Sequence, residues 1–250
     1  MDQEKLDAAP SVAPAGAERN FGAAMRGLEF AQKPGAGVPA YTRWVNRRLA
    51  RFAAAAAYSA GWSANAVTAL SAAFSLVAII LVLVLRPHPL LGLAIAVLFA
   101  IGYVLDSADG QVARLGNRGS RAGEWLDHVV DAIRTPAIHL AVLVGAAALG
   151  APAWFLAVAL LYTLVGVGQF MSQILGEQLR RSSGAPAAAP TGSTLRSFAL
   201  LPSDMGALCW MFIFWGVPPL FFVAYTALFA VNAVHTGLSM NRRYRELSAA

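Results

Sequence analysis

Apolar residues run along this chain in long blocks separated by short polar breaks. The blocks fall at roughly 64–86, 90–113, 122–149, 152–178, 195–216 and 218–240. Each matches the about 20 residues that an α-helix needs to cross a bilayer core of roughly 30 Å. Three breaks, Pro87-His88-Pro89, Gly150-Ala151-Pro152 and Val217-Pro218-Pro219, are short and contain the proline expected where one helix stops and another begins. The pattern predicts an all-α, polytopic membrane protein whose six transmembrane helices form three hairpins. Ahead of the first block the period changes. Between Tyr41 and Tyr58, Val45, Leu49 and Phe52 recur at helical spacing, Arg43, Arg47 and Arg51 line another face, and Trp44 lies beside them. That is the pattern of an amphipathic helix lying in the membrane interface.

These elements divide the chain into a mobile extension over residues 1–40, an interfacial helix over 41–60, a six-helix transmembrane catalytic domain over 61–241 and a cytosolic tail over 242–250. Whether a short helix forms around Phe21 to Phe30 is left open. The run from Ser182 to Ser193, with two prolines among small residues, predicts a flexible connector.

Composition agrees with the pattern. Of the 250 residues 58% are hydrophobic and 13% charged, and mean hydropathy is +0.57; a soluble domain carries roughly 25% charged residues. The net charge of +6 does not point to nucleic acid, because the arginines lie between apolar blocks rather than in one basic tract. Arg43, Arg47, Arg48, Arg51, Arg114, Arg118, Arg121, Arg180, Arg181, Arg196, Arg242, Arg243 and Arg245 all fall on one side of the predicted spans, against Arg86 on the other. The positive-inside bias then puts both termini in the cytosol and the protein in the cytoplasmic membrane. The N-terminus lacks the basic and apolar regions of a cleavable signal peptide. The single cysteine, Cys209, sits in an apolar block and reads as packing.

Acidic residues inside such blocks change the picture, since each costs on the order of 2.5 to 3.5 kcal/mol at a helix centre. Asp106 and Asp109 lie three apart near the cytosolic end of the second block, and Gly110 and Ala113 continue their face. In the third block Gly123, Asp127 and Asp131 recur every four residues. The short connection from Leu115 to Ala122 makes the two helices antiparallel neighbours, so their carboxylates converge. Hard divalent cations, Mg²⁺ or Mn²⁺, are the natural counter-charge, and four carboxylates suffice for two ions clamping a pyrophosphate. Gly110, Ala113 and Gly123 leave room for a bulky nucleotide.

The stretch DSADGQVARLGNRGSRAGEWLDHVVD matches D-x-x-D-G-x-x-A-R-x8-G-x3-D-x3-D without a gap. In this it resembles the CDP-alcohol phosphotransferase (CDP-alcohol phosphatidyltransferase) family, whose signature this is. Trp62-Ser63-Ala64-Asn65-Ala66-Val67-Thr68 is similar to the family's Thr-Pro-Asn-x-x-Thr entry to its first span, with Ala64 in place of proline. The resemblance implies transfer of a substituted phosphoryl group from a CDP-linked donor, foremost CDP-diacylglycerol, to the hydroxyl of a polar alcohol such as inositol phosphate or glycerol phosphate, releasing CMP. It further implies that Asp106, Asp109 and Asp127 ligate metal, that Asp131 touches a second metal and acts as general base, and that Asn65, Asp109, Gly110, Ala113, Arg114 and Gly123 receive the CDP moiety. A homodimer among membrane lipids is also implied.

Other residues keep two readings. Arg134, three beyond Asp131, binds an acceptor phosphate or pairs with a neighbouring carboxylate. Arg180, Arg181 and Arg196 meet an acidic acceptor or only satisfy the positive-inside bias. His128 turns about 100° from the aspartate stripe and suits packing or hydrogen bonding. Asp204 needs an intramembrane partner, an arginine or the acceptor pocket. The aromatic run Trp210, Phe212, Phe214, Trp215, Phe221, Phe222 and Tyr225 suits an acyl-chain groove or lipid contact. Within the family, a soluble CDP-polyol or CDP-amino-alcohol donor is the alternative; outside it, an ion-coupled transporter using the carboxylates is.

Overall fold

The computed structural model describes residues 19–30, 37–117, 119–183 and 193–248. Most of the expected N-terminal extension, the centre of the expected connector and Arg118 lie outside the described residues. Everything described is helix or short connection: α1 (Phe21–Phe30), α2 (Arg47–Ser59, entered through a π-helical turn at Thr42–Asn46), α3 (Ala64–Val84), α4 (Pro89–Leu115), α5 (Arg121–Ala148), α6 (Ala153–Ser182), α7 (Thr194–Ala199), α8 (Met205–Met211) and α9 (Pro218–Ser248).

Local chemistry sets the helix starts. Ser63 caps α3 by accepting from the Ala66 N–H at 3.1 Å, and Ser120 caps α5 by accepting from the Gly123 N–H at 3.0 Å. Pro89 opens α4 at its first turn, where the missing N–H costs nothing. The expected helices over 64–86, 90–113, 122–149, 152–178 and 218–240 are all present, and α9 runs on to Ser248.

Five helices, α3, α4, α5, α6 and α9, are long and apolar enough to cross a membrane. Their outer faces carry exposed large apolar side chains, among them Leu76, Val77 and Ile80 on α3 and Leu160, Leu161 and Leu164 on α6. The buried face of α3 instead holds Thr68, Ser71 and Ser75. An apolar outside around a partly polar inside suits a lipid solvent. The chain is a multi-pass membrane protein.

The block expected as one span over 195–216 is broken. It consists of α7, a 3₁₀ turn at Leu201–Ser203, α8 and a second 3₁₀ turn at Phe212–Gly216. The apolar piece Met205–Gly216 is only roughly 20 Å long at helical rise. The break follows from Pro202 and Asp204. Asn232 on α9 donates to the Pro202 carbonyl at 2.9 Å. Asp204 caps α8 by accepting from the Gly206 N–H at 3.0 Å, and it also accepts from the Thr42 N–H at 2.7 Å and the Thr42 hydroxyl at 2.8 Å. Its partner among the described residues is therefore the chain entering α2 rather than an arginine. The aromatic run is split: Phe212, Trp215, Phe221 and Tyr225 are fully buried with Phe155, while Trp210 and Phe214 stay exposed, as lipid contact would have them.

The α2 helix does more than its amphipathic pattern shows. Val45, Leu49 and Phe52 are exposed, while Ala50, Ala54 and Ala55 are buried against Ala108 and Val112 of α4. Small side chains let the two backbones approach. Asn46 donates to the Ser107 hydroxyl at 2.5 Å, beside Asp106. Thus α2 braces the outer side of the helix that presents the first two aspartates.

Candidate active site

Helices α3, α4 and α5 converge around the aspartates. Asp106, Asp109 and Asp127 each place a carboxylate oxygen so that the three atoms lie within 4.8 Å of one another. That is the consequence of pairing Asp106 and Asp109 one turn apart on α4 with the fourfold spacing of α5. Three converging carboxylates fit a hard divalent cation by donor chemistry and by spacing.

The carboxylate of Asp109 is fixed at both oxygens. Thr68 Oγ1 donates to one at 2.6 Å and the Gly110 N–H to the other at 2.5 Å. Asp131 does not join this trio by the same measure. It shares the Arg134 guanidinium with Asp106, both through Nη2, and Arg134 Nη1 donates to Ser71 Oγ at 3.1 Å. Ser71 in turn donates to the Gly102 carbonyl at 2.8 Å. Gly102 matters here: a Cβ on it would stand 2.8 Å from Ser75 Oγ and 3.2 Å from the Ser71 carbonyl oxygen. Only glycine lets α3 and α4 close enough for this chain of contacts.

Beside the trio opens a cavity of about 550 Å³. Asn65, Asp109, Gly110, Ala113, Arg114 and Gly123 all line it, as does Asp127. A Cβ on Gly123 would meet Asn65 Oδ1 at 3.3 Å, so the glycine is what brings the α5 start against α3. Arg114 lines the cavity, and its Nε is buried with no hydrogen-bond partner among the described residues. His128 is on the wall too, its nitrogens 4.0 Å from Asp127 Oδ2 and from Glu124 Oε1.

The arginines expected near an acceptor are not brought together. Arg134 is buried among Asp106, Asp131 and Ser71. Arg181 lines the 550 Å³ cavity, pairing with Glu177 at 3.0 Å and across to Glu124 of α5 at 3.2 Å, and Arg180 pairs with Glu177 at 2.7 Å. Arg196 instead lines a second cavity of about 410 Å³ together with Gln169, Gln173, His235, Arg242 and Arg243. Two of its lining residues, His235 and Arg243, each bury one nitrogen, Nδ1 and Nε, without a hydrogen-bond partner among the described residues.

Sequence reasoning missed Ser71, the wall residues Glu124 and Glu177, and the group His235, Arg242 and Arg243. One signal was available: Asn65, Thr68, Ser71 and Ser75 recur at helical spacing inside an otherwise apolar block.

A family model described as CDP-alcohol phosphatidyltransferase matches residues 62–238, which takes in α3 through most of α9. No curated protein matches the chain.

Proposed function

Because the chain belongs to the CDP-alcohol phosphatidyltransferase family, a family of phosphotransferases acting on CDP-alcohols, we propose that the 550 Å³ cavity holds the CDP end of a CDP-diacylglycerol donor. The observation that carries this reading is the convergence of Asn65, Asp109, Gly110, Ala113, Arg114 and Gly123 on one cavity that abuts the carboxylate trio. Family membership in an enzyme class sets the transporter reading aside.

A divalent cation, Mg²⁺ or Mn²⁺, held by Asp106, Asp109 and Asp127, with Asp131 available to a second, supplies charge neutralisation for a pyrophosphate and for the oxygens of an in-line displacement. The protein's own groups do the rest. Arg114, on the cavity wall, offers its guanidinium to a donor phosphate. The small faces of Gly110, Ala113 and Gly123 admit the nucleotide. Asp131 accepts the proton of the acceptor hydroxyl as its oxygen attacks the β-phosphorus. The bond from that phosphorus to the oxygen bridging the two phosphates breaks, CMP leaves, and the acceptor oxygen is joined to the donor's phosphate.

The second cavity supports an anionic acceptor, a phosphorylated polyol such as inositol phosphate or glycerol phosphate. Arg196, Arg242 and Arg243 line it, and such a cluster of guanidinium groups suits a phosphate. The broken segment 194–216 completes a sixth crossing, and the arginine-rich side faces the cytosol. CMP release by the purified protein, measured with CDP-diacylglycerol and paired acceptors with and without a phosphate, tests the substrates. The phosphorylated member of a pair should react faster. Arg243→Gln should raise its KM about 10-fold to 100-fold while leaving the donor KM unchanged. Equal rates for both members, or CMP release only from a soluble CDP-alcohol, would overturn the assignment.

A further inference from the structure

Arg134 is a permanent cation placed inside a cluster of carboxylates. It is 8% exposed, it touches two of the four aspartates, and a hydroxyl pins its other nitrogen. That hydroxyl cannot turn away freely, because Ser71 spends its own proton on the Gly102 carbonyl and presents a lone pair to Arg134. With Nη2 on both carboxylates and Nη1 on Ser71, the planar guanidinium is fixed at two of its nitrogens, a hold that a lysine's single ammonium does not reproduce. The tie also joins Asp131 to the trio through Asp106. Asp106, Asp109 and Asp127 converge on one another, whereas Asp131 is held on the Arg134 side.

We propose that Arg134 is a positioning residue that orients Asp131 toward the reacting hydroxyl and, as a resident positive charge, limits how tightly the carboxylates hold divalent cations. The inference rests on the phosphotransfer reading above. Two consequences follow from elementary electrostatics. Removing the charge strengthens the centre's attraction for a cation, because a nearby like charge no longer opposes it. Removing the tie frees Asp131 to leave the geometry in which it takes a proton, which slows turnover without touching the donor's cavity.

The test combines Mn²⁺ binding, followed by electron paramagnetic resonance on the full-length protein in detergent, with CMP-release kinetics. Arg134→Gln should bind Mn²⁺ about ten-fold more tightly and lose at least about a hundred-fold in kcat with a nearly unchanged donor KM. Arg134→Lys keeps the charge but not the bridge. It should bind Mn²⁺ within about three-fold of the unaltered protein and still lose at least about ten-fold in kcat. Ser71→Ala, which removes one anchor, should lose a few-fold in kcat and leave Mn²⁺ affinity unchanged. A merely structural arginine predicts the opposite signature for Arg134→Gln, with weaker Mn²⁺ binding and a lower melting temperature. That outcome overturns the proposal, and so does full kcat in Arg134→Lys. If Arg134→Gln does not fold, the lysine and Ser71→Ala variants decide by the same criteria. Should the unaltered protein release no CMP, the phosphotransfer reading fails, while the Mn²⁺ shift still decides whether Arg134 limits cation affinity.

Discussion

At the scale of single residues, the centre depends on hydroxyls that present themselves to charges. Thr68 donates to Asp109 at 2.6 Å and Ser71 accepts from Arg134 at 3.1 Å, both from the same face of α3. A hydrogen bond that orients a metal-binding carboxylate is worth roughly 10-fold to 100-fold in metal affinity or activity. Thr68→Val, nearly the same shape without the donor, should therefore weaken Mn²⁺ binding about ten-fold while the protein keeps its melting temperature within a few degrees; unchanged affinity would remove Thr68 from the site. The aspartates themselves were readable from the chain alone, because a carboxylate in an apolar block has few innocent explanations. Ser71 was not. A serine costs little inside a membrane helix, and the polar series it shares with Asn65, Thr68 and Ser75 marks a face without naming a role, which shows only when Gly102 has let α4 close on it.

At the scale of elements, the long helices follow from apolar blocks punctuated by proline, and their ends were legible to within a few residues except at α9, which runs eight residues past its expected end to Ser248. The segment over 195–216 was less so. Its composition is that of a span, but Pro202 and Asp204 interrupt the backbone pattern, and the groups they free are satisfied far away in sequence, by Asn232 and by Thr42. No local pattern encodes such partners. The same holds for α2, whose alanines read as filler and turn out to be the face that packs on α4. Asp204 is the joint between these elements. Asp204→Ala removes a helix cap and leaves the Thr42 N–H without its partner, which should cost about 2 to 4 kcal/mol. Thermal unfolding in detergent should show a clearly lower midpoint, and an unaltered midpoint would mean that the junction carries no stability. Loosening this joint also loosens the brace behind Asp106, so turnover should fall along with stability.

At the scale of the whole molecule, the protein is arranged with apolar side chains outward and its polar groups gathered between α3, α4 and α5. One cavity beside the carboxylates carries the residues implied for CDP, and a second, ringed by Arg196, Arg242 and Arg243, carries positive charge. The residues implied for CDP were foreseeable because they fall in two short stretches of sequence, whereas the α6 wall with Glu177 was not. Nor was the second cavity, because it draws on α6, α7 and α9, and arginines near span ends have topological reasons to be there. The central proposal is that the converging carboxylates from α4 and α5 hold a divalent cation that the phosphoryl transfer requires. The most direct measurement is CMP release from CDP-diacylglycerol and a polyol phosphate by the purified protein, before and after chelation by EDTA and again after Mg²⁺ or Mn²⁺ is restored. The account predicts release that falls at least about a hundred-fold on chelation and returns with the metal. Release that survives complete chelation would contradict it.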